Sequence, residues 1–167
     1  MISVVATLSG RVNVIIKLHP GDDNDQAIKE FVRGIAPKIR VIKTYDSLVL
    51  AKTCDAMVVY LSTFSIDGLA FRKPVVLGAG HDYERFDCLK YFYDGTTSDK
   101  LRDSLVDILQ GTATKHLRNW VSATGYALSS MDGNSSKRIA DMLSSGAGSA
   151  LPAQYQFAPQ RYGENEK

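Results

Sequence analysis

The sequence predicts an α/β fold in which a mainly parallel sheet carries helices on both faces. Short apolar, β-branched runs alternate along the chain with stretches whose apolar residues recur at helical spacing. Loops rich in glycine, proline, serine and aspartate separate these segments. Because strands that alternate with helices pair in parallel through right-handed crossovers, we expect a three-layer α/β/α domain.

The first predicted strand and helix follow an apolar segment, Met1 to Leu8, that has no clear period. Val12 to Leu18 is a continuous β-branched run, which is typical of a strand buried on both faces. A loop from His19 to Asp23 ends this strand, and Asn24 or Asp25 caps the next helix. The apolar residues of this helix recur at helical spacing and should face the core: Ile28, Phe31, Val32 and Ile35.

Four short apolar runs predict the remaining strands: Ile39 to Ile42, Ala56 to Tyr60, Pro74 to Leu77 and Leu89 to Tyr93. A short helix that begins at Asp46 or Ser47 should connect the first two of these strands. A Ser62-Thr63 turn and a second short helix should connect the next two, with Lys73-Pro74 as the tight turn back into the sheet.

Three helices are predicted in the C-terminal part: one capped by Ser98, one from Lys115 to Leu128 and one that starts at Ser135 or Ser136. Gly111 should end the first of them. From Gly146 onward the sequence loses its periodic apolar content. We therefore expect a folded domain of residues 1–145 and a flexible tail of residues 146–167.

Composition excludes several classes of function. A chain of 167 residues with a formal net charge of +2 and no dense basic patch gives no basis for nucleic-acid binding. Cys54 and Cys88 are isolated and the three histidines are scattered, so no metal site is expected. No apolar run reaches the roughly 20 residues that span a bilayer. Without a signal-peptide pattern, we expect a cytoplasmic protein with reduced thiols.

Polar residues follow two of the predicted strands at one edge of the sheet. His19 and Pro20 follow the first strand, and the hydroxyl residues Ser62, Thr63 and Ser65 follow the third. Ligands of parallel α/β sheets bind at the carboxyl ends of the strands. The first amides of a helix have no partner inside the helix, so the Ser-Thr turn is a natural place for a phosphate. The sequence therefore predicts an anion site, provided that both loops share one cleft.

Three segments together resemble the C-terminal half of GT-B-type sugar-nucleotide enzymes. They are Ile16-Lys17-Leu18-His19-Pro20-Gly21, Ser62-Thr63-Phe64-Ser65-Ile66-Asp67 and Arg72-Lys73-Pro74. Their spacing is similar to that of the CDP-glycerol glycerophosphotransferases and related capsule-polysaccharide transferases. A fourth segment, from Asp132 to Ile139, resembles part of the UDP-N-acetylglucosamine 2-epimerase group. The resemblance covers about residues 12 to 144.

The resemblance implies a Rossmann-like nucleotide-binding half-domain and a role for each site residue. His19, with Pro20 beside it, would contact the diphosphate or the phosphate nearest the sugar, and would act catalytically by stabilising the leaving diphosphate. Ser62 and Thr63, with their amides and with Ser65, would hold phosphate oxygens. Asp67 would accept hydrogen bonds from the ribose hydroxyls, since a carboxylate only accepts. The nucleotide-activated sugar or glycerol is then the substrate, and no cofactor is implied.

The resemblance also implies parts that these residues do not supply. The N-terminal acceptor domain of the family has no counterpart here, so we expect the isolated chain to bind nucleotide weakly and to be inactive. Only about eight residues precede the counterpart of the family's second strand, and in a doubly wound sheet the strand before it is central. Ile2 to Thr7 either occupies its place or is a remnant of the first crossover helix, and we expect the helix. Further expectations are a partner chain that covers the exposed edge, a homo-oligomer, and peripheral membrane association of the full-length enzyme.

The sequence favours the donor-binding domain of a glycosyltransferase or glycerophosphotransferase for surface-polysaccharide synthesis. Two alternatives stay open. One is a UDP-N-acetylglucosamine 2-epimerase-like protein, which would need carboxylate bases from another domain. The other is a non-catalytic Rossmann-like module with a regulatory or assembly role.

Overall fold

The computed structural model describes residues 2–8, 10–60, 62–78, 91–114 and 132–144, together with Leu117 and Trp120. It is a mixed α/β structure with short parallel strands in two small sheets. Contacts divide the chain into two compact units, Met1–Ser129 and Ser130–Lys167. The predicted domain boundary after residue 145 lies outside the described residues and stays a prediction.

The described elements of the first unit alternate between helix and strand until the fourth strand. In chain order they are α1 (Ile2–Leu8), β1 (Ile15–Lys17), α2 (Asp25–Ile35), β2 (Arg40–Ile42), α3 (Ser47–Thr53), β3 (Met57–Val59), α4 (Phe64–Ala70), β4 (Val75–Gly78), β5 (Tyr93–Gly95) and α5 (Ser98–Leu109). The second unit contains α6 (Ser135–Ser144). The predicted parallel α/β character is therefore confirmed.

Two separate hydrogen-bonded sheets are present where the sequence predicted one. The first pairs β1 with β2 in parallel, with Ile16 opposite Val41. The second has the order β3-β4-β5, and all of its strands are parallel. Among the described strands, β1 and β3 are not hydrogen-bonded to each other.

Helix α1 joins the two sheets through its side chains. Val4 is buried in a cluster that also contains Val76 of β4 and the α5 residues Leu101 and Leu105. Ile2 and Ala6, on another side of the same helix, pack on a separate cluster formed by α2, β1 and β2. The expectation that the N-terminal segment is a helix and not a strand is thus confirmed. Its apolar composition is explained by its packing on two separate core clusters.

The second sheet buries apolar side chains on both faces. Val75 and Leu77 of β4 pack with α3 and α4, whereas Val76, which points to the opposite face, packs with α1 and α5. All three side chains are almost fully buried. A strand buried on both faces reads as a continuous apolar run, which is why β4 was predicted correctly.

The burial predicted for the first strand and the first helix is wrong in part. Ile15 of β1 is 46% exposed, although the β-branched run predicted a strand buried on both faces. In α2, Val32 is fully buried, but Phe31 and Ile35 are exposed. The two-stranded sheet offers α2 a narrow surface, and only the centre of the predicted apolar face reaches it.

The last described strand also differs from its prediction. The strand runs from Tyr93 to Gly95, whereas the sequence predicted a strand that ends at Tyr93. Asp94 and Gly95 therefore belong to the strand. A Cβ at Gly95 would lie 2.7 Å from the carbonyl oxygen of Leu77, so the close approach of β4 requires glycine at this position. Thr97, rather than Ser98, caps α5, because its hydroxyl accepts a hydrogen bond from the N–H of Lys100.

Two of the predicted helix ends, the start of α3 and the end of α5, are confirmed. Asp46 caps α3 by accepting hydrogen bonds from the N–H groups of Leu48 and Val49. Gly111 follows α5 with a φ of 74°, the left-handed conformation that ends a helix. Asn24 takes the cap position of α2, but its side chain makes no cap hydrogen bond. The predicted helix of residues 115–128 and the tail of residues 146–167 lie outside the described residues, apart from Leu117 and Trp120.

Within the second unit, Arg138 holds the turn that precedes α6. Its guanidinium contacts both carboxylate oxygens of Asp132 at 2.8 Å and donates a further hydrogen bond to the hydroxyl of Ser135. Gly133 between them has a φ of 74°.

Candidate functional site

The loop after β1 fixes the imidazole of His19. The backbone N–H of Gly21 donates a hydrogen bond to Nδ1 of His19 over 3.1 Å. Because Nδ1 accepts this hydrogen bond, the imidazole proton is on Nε2. The N–H of Asp22 also donates to the carbonyl oxygen of His19, which closes a tight turn through the exposed Pro20. The loop therefore presents an exposed imidazole whose Nε2–H is a hydrogen-bond donor.

Lys43, which follows β2, fastens this loop to the neighbouring strand end. Its ammonium donates to the carbonyl oxygen of Asp22 at 2.7 Å and lies 3.8 Å from the carboxylate of Asp25. Lys29 donates to the other oxygen of the same carboxylate at 2.8 Å. The hydrogen bond from Lys29 and the charges of both ammonium groups lower the pKa of Asp25. Lys43 was not among the predicted site residues, although its place directly after a strand was a usable signal.

The Ser-Thr turn after β3 is held by hydrogen bonds of its own. The N–H of Phe64 donates to Oγ of Ser62 over 3.2 Å, and the N–H groups of Ser65 and Ile66 donate to the carbonyl oxygens of Ser62 and Thr63. The amides of Phe64, Ser65 and Ile66 therefore have partners within the turn. The backbone N–H groups of Ser62 and Thr63 donate to no described residue.

The hydroxyl groups of the same turn have different environments. Ser62 and Thr63 are exposed, and the Thr63 hydroxyl makes no hydrogen bond with a described residue. Ser65 is buried, and its hydroxyl donates to the carbonyl oxygen of Ser62 over 3.2 Å. The Ser65 hydroxyl thus stabilises the turn, while Ser62 and Thr63 present the accessible polar groups.

Asp67 lies on α4 one turn beyond these hydroxyls. Its side chain is partly buried, and this burial raises the pKa of its carboxyl group. The neighbouring Gly68 packs against the sheet so closely that an added Cβ would lie 2.6 Å from side-chain atoms of Met57 and Val75. The close packing of α4 on β3 and β4 is what fixes the position of Asp67.

The end of α4 is anchored by a left-handed residue and an aromatic ring. Arg72 has a φ of 57°, and Lys73 donates its N–H to the carbonyl oxygen of Gly68, which forms a Schellman turn. The guanidinium of Arg72 stacks 4.1 Å from the ring centre of Trp120, and Nε1 of Trp120 donates to the carbonyl oxygen of Leu69. The prediction that Lys73-Pro74 is a tight turn is confirmed, and Trp120 supports this turn.

The predicted site residues form two groups that follow different sheets. His19 and Pro20 follow β1, whereas Ser62, Thr63, Ser65 and Asp67 follow β3 or lie on α4. No hydrogen bond or ion pair between described residues joins the two groups. A common cleft for His19 and the Ser-Thr turn therefore stays a prediction.

The described residues contain no group of three or more histidine, cysteine, aspartate or glutamate side chains that could hold a metal ion. Cys54 is free and half-buried, and this burial raises the pKa of its thiol, an effect that the charge of Lys73 opposes. None of the helices among the described residues has the length and apolar character needed to cross a membrane.

Comparisons of the chain with family models, curated proteins and solved structures give no match.

Proposed function

We propose that this chain is the donor-nucleotide-binding domain of a glycosyltransferase or glycerophosphotransferase that acts in surface-polysaccharide synthesis. In this proposal the two sheets belong to one three-layer α/β/α Rossmann-like domain, which works in the cytoplasm together with an acceptor-binding domain. The phosphates of the donor lie between the loop after β1 and the turn after β3. The chain alone binds the donor weakly and transfers nothing.

The observation that carries the proposal is the hydrogen bond from Gly21 to Nδ1 of His19. It commits Nε2 to the role of donor and directs an exposed N–H away from the loop. A donor of this kind suits a phosphate oxygen on which negative charge develops when the bond to the leaving group breaks. Lys43, by fixing the same loop, keeps the imidazole in place without touching the ligand.

The faces on which the helices lie support a shared edge for the two loops. Helix α2 packs on the face of its sheet that α1 covers, and α4 packs on the face of the second sheet opposite α1. The crossovers β1-α2-β2 and β3-α4-β4 are both expected to be right-handed. If β1 and β3 are parallel, two such crossovers on opposite faces place β2 and β4 on opposite sides of the β1 and β3 pair. With that arrangement, His19 and the Ser62-Thr63 turn lie at the same carboxyl edge.

The polar groups after β3 suit the rest of a nucleotide diphosphate. The hydroxyls of Ser62 and Thr63, with their backbone N–H groups, supply neutral donors for phosphate oxygens. The carboxylate of Asp67 supplies acceptors for a ribose diol. The raised pKa of Asp67 is the result of desolvation, and hydroxyl donors from a bound ribose would compensate for the lost water.

The test is a calorimetric titration of the chain with CDP-glycerol and with UDP-N-acetylglucosamine, repeated with His19→Ala and Thr63→Ala. We expect binding of the CDP ligand, and a loss of about tenfold in affinity for each variant, because each removes one hydrogen bond to a charged group. Thr53→Ala is the matched control: Thr53 is exposed at the end of α3 and precedes β3, at the amino edge of the sheet. This variant should bind like the wild type.

The alternatives give distinct outcomes in the same titration. A preference for the UDP ligand would favour the epimerase-like reading. Absence of binding by either nucleotide at millimolar concentration, with no thermal shift, would refute the proposal and favour a non-catalytic module.

A further inference from the structure

We propose that Lys17 supplies the positive charge of the phosphate site, with its ammonium against phosphate oxygens beside the imidazole of His19. The ligand class is a diphosphate. The inference rests on the proposed function for the identity of the donor nucleotide, whereas inorganic pyrophosphate is enough to test the role of Lys17.

The site residues that the sequence predicted include no lysine or arginine. The loop after β1 presents the Nε2–H of His19, and the turn after β3 presents the hydroxyl groups of Ser62 and Thr63. A diphosphate is a multiply charged anion, and a hydrogen bond to an anion from a charged donor is about twice as strong as one between neutral groups. A diphosphate site therefore calls for an ammonium or guanidinium group close to these donors.

The ammonium of Lys17 lies beside the backbone of His19. Lys17 is the last residue of β1, and its Nζ donates a hydrogen bond to the carbonyl oxygen of Leu18 over 2.8 Å. This carbonyl belongs to the peptide bond that joins Leu18 to His19. An ammonium has three N–H donors, and Lys17 uses one of them on the described residues. The contact thus fixes the charge at the loop and leaves donors for a ligand.

Lys17 and His19 also leave β1 on the same face of the sheet. The N–H of Leu18 still donates to the carbonyl oxygen of Ile42, so the chain is extended at this point. Side chains two residues apart on an extended chain lie on one face. A phosphate that accepts a hydrogen bond from His19 would therefore lie on the side to which Lys17 projects.

Lys43, at the end of the neighbouring strand, has a different role. Lys17 lies opposite Ile42 in the register of β1 and β2, so the next residue, Lys43, projects to the other face. There it contacts Asp22 and the carboxylate of Asp25. No carboxylate among the described residues forms an ion pair with Lys17. The charge of Lys43 is thus balanced within the loop, whereas the charge of Lys17 is available to an anion.

The face of Lys17 is the one that the proposed function requires. Ile16, which points to the opposite face from Lys17, packs on the cluster of α2 to which α1 also contributes. In the second sheet, α1 packs on the face of Val76, and α4 packs on the other face. Lys17 and α4 are therefore both on the face turned away from α1. In one continuous three-layer domain, this face carries the Ser62-Thr63 turn.

Calorimetric titration with inorganic pyrophosphate and with CDP-glycerol tests the proposal on three variants. Lys17→Met keeps the apolar stem and should bind both ligands about tenfold more weakly than the wild type. Lys17→Arg keeps the charge and should stay within about threefold of the wild type. Lys52→Met is the matched control, because Lys52 is exposed at the end of α3, which precedes β3 at the amino edge of the sheet. It removes the same charge and should bind like the wild type.

Salt separates the loss of a charge from a change in structure. The difference between the wild type and Lys17→Met should narrow to less than about threefold when NaCl is raised from about 50 mM to about 500 mM, since salt screens exposed charges. NMR of the lysine side chains gives a readout on the wild type itself. Saturating pyrophosphate should shift the Cε–Hε signals of Lys17 and leave those of Lys52 in place.

Several results would overturn the role of Lys17. They are pyrophosphate binding by Lys17→Met that equals that of the wild type, an equal loss in Lys52→Met, a loss that is the same at both salt concentrations, and Lys17 signals that do not respond to pyrophosphate.

The two ligands distinguish this inference from the proposed function. If CDP-glycerol binds the wild type and Lys17→Met equally, the proposed function stands and the role of Lys17 falls. If pyrophosphate binds through Lys17 but CDP-glycerol does not bind, the role of Lys17 stands and the proposed function falls. Binding of neither ligand by the wild type would overturn both.

Discussion

The ammonium of Lys43 donates a hydrogen bond to the backbone carbonyl of Asp22 over 2.7 Å. This contact joins the end of β2 to the loop that carries His19, across 21 residues of sequence. The loop also has hydrogen bonds of its own, and the Lys43 contact is what ties it to the neighbouring strand. The contact therefore links the stability of the loop to the orientation of the imidazole.

Replacement of Lys43 by methionine should weaken nucleotide binding without unfolding the domain. The long apolar stem is kept, and only the hydrogen bond and the charge are lost. We expect a fall of about fivefold in affinity and a loss of less than about 1 kcal/mol in the free energy of unfolding. Lys29→Met is the matched control, because Lys29 contacts the same carboxylate, Asp25, but not Asp22. Equal affinity losses in both variants would contradict a role for the loop contact.

Gly68→Ala should destabilise the fold through the packing of α4. The new methyl group would lie 2.6 Å from Met57 and from Val75, and the buried Val75 side chain has little room to move. We expect a loss of about 1–3 kcal/mol in chemical denaturation. Gly34→Ala is the control: Gly34 lies in α2 with open space around the added methyl group, so a gain of about 0.5–1 kcal/mol is expected there. A neutral Gly68→Ala would mean that α4 is less closely packed.

Arg72→Gly and Arg72→Ala separate backbone strain from stacking. Both variants lose the stacking of the guanidinium on Trp120, but only glycine relieves the left-handed conformation. The glycine variant should therefore be more stable than the alanine variant by about 1 kcal/mol. Trp120 is the only tryptophan, so its fluorescence monitors the loss of stacking in both. Equal stabilities would indicate that the turn relaxes without cost.

Asp67→Asn should raise stability at neutral pH and lower nucleotide affinity. Burial raises the pKa of Asp67, so the folded state prefers the protonated carboxyl. That preference stabilises the fold below the pKa of the unfolded chain, about 4, and is lost as the pH rises through the folded-state pKa. The variant should accordingly gain stability over the wild type at pH 7 and match it near pH 3. A loss of stability at pH 7 would contradict this assignment.

Asp94→Asn should show the opposite dependence on pH. Burial tends to raise the pKa of Asp94, but hydrogen bonds from Lys100 and Thr96 outweigh this effect and lower it. The resulting stability is present above about pH 4 and is lost as the pH falls through the folded-state pKa. The variant should thus be less stable at pH 7 by at most about 1 kcal/mol, since the Lys100 side chain is exposed.

Chemical denaturation of wild type and Asp94→Asn across pH 2 to 7 provides the measurement. The loss in free energy of unfolding caused by the substitution should become smaller below about pH 4. Asp99→Asn is the control, because it removes only a highly exposed ion pair with Arg102. A cost for Asp94→Asn that is constant over the whole range would contradict the assignment.

Local patterns were sufficient to predict most elements of the first unit. The apolar run of β4, the Asp46 cap and the glycine after α5 each depend on residues within a few positions of one another. The cap is determined by the chemistry of the first helical turn, and the end of α5 by a φ that glycine adopts at little cost. Such features do not depend on which element lies across the core.

The candidate site could be predicted only in part. The sequence singled out His19, Ser62, Thr63 and Asp67, which are exposed or partly buried polar residues at strand ends and on α4. It gave no indication that Ser65 is buried in the turn or that Lys43 holds the loop after β1. Hydrogen bonds within a turn, and a contact across 21 residues, depend on where the backbone goes and leave no periodic pattern in the sequence.

The order of apolar and polar residues by itself determined that parallel strands alternate with helices, because side-chain periodicity and turn chemistry are local properties. Tertiary structure decided that the strands form two sheets, that α1 packs on both, and that Ile15 is exposed at an edge. Burial of a strand depends on the neighbours that pair with it, and pairing joins residues far apart in the chain. The β-branched run of β1 specifies a strand, but only the presence or absence of a neighbour decides whether that strand is central.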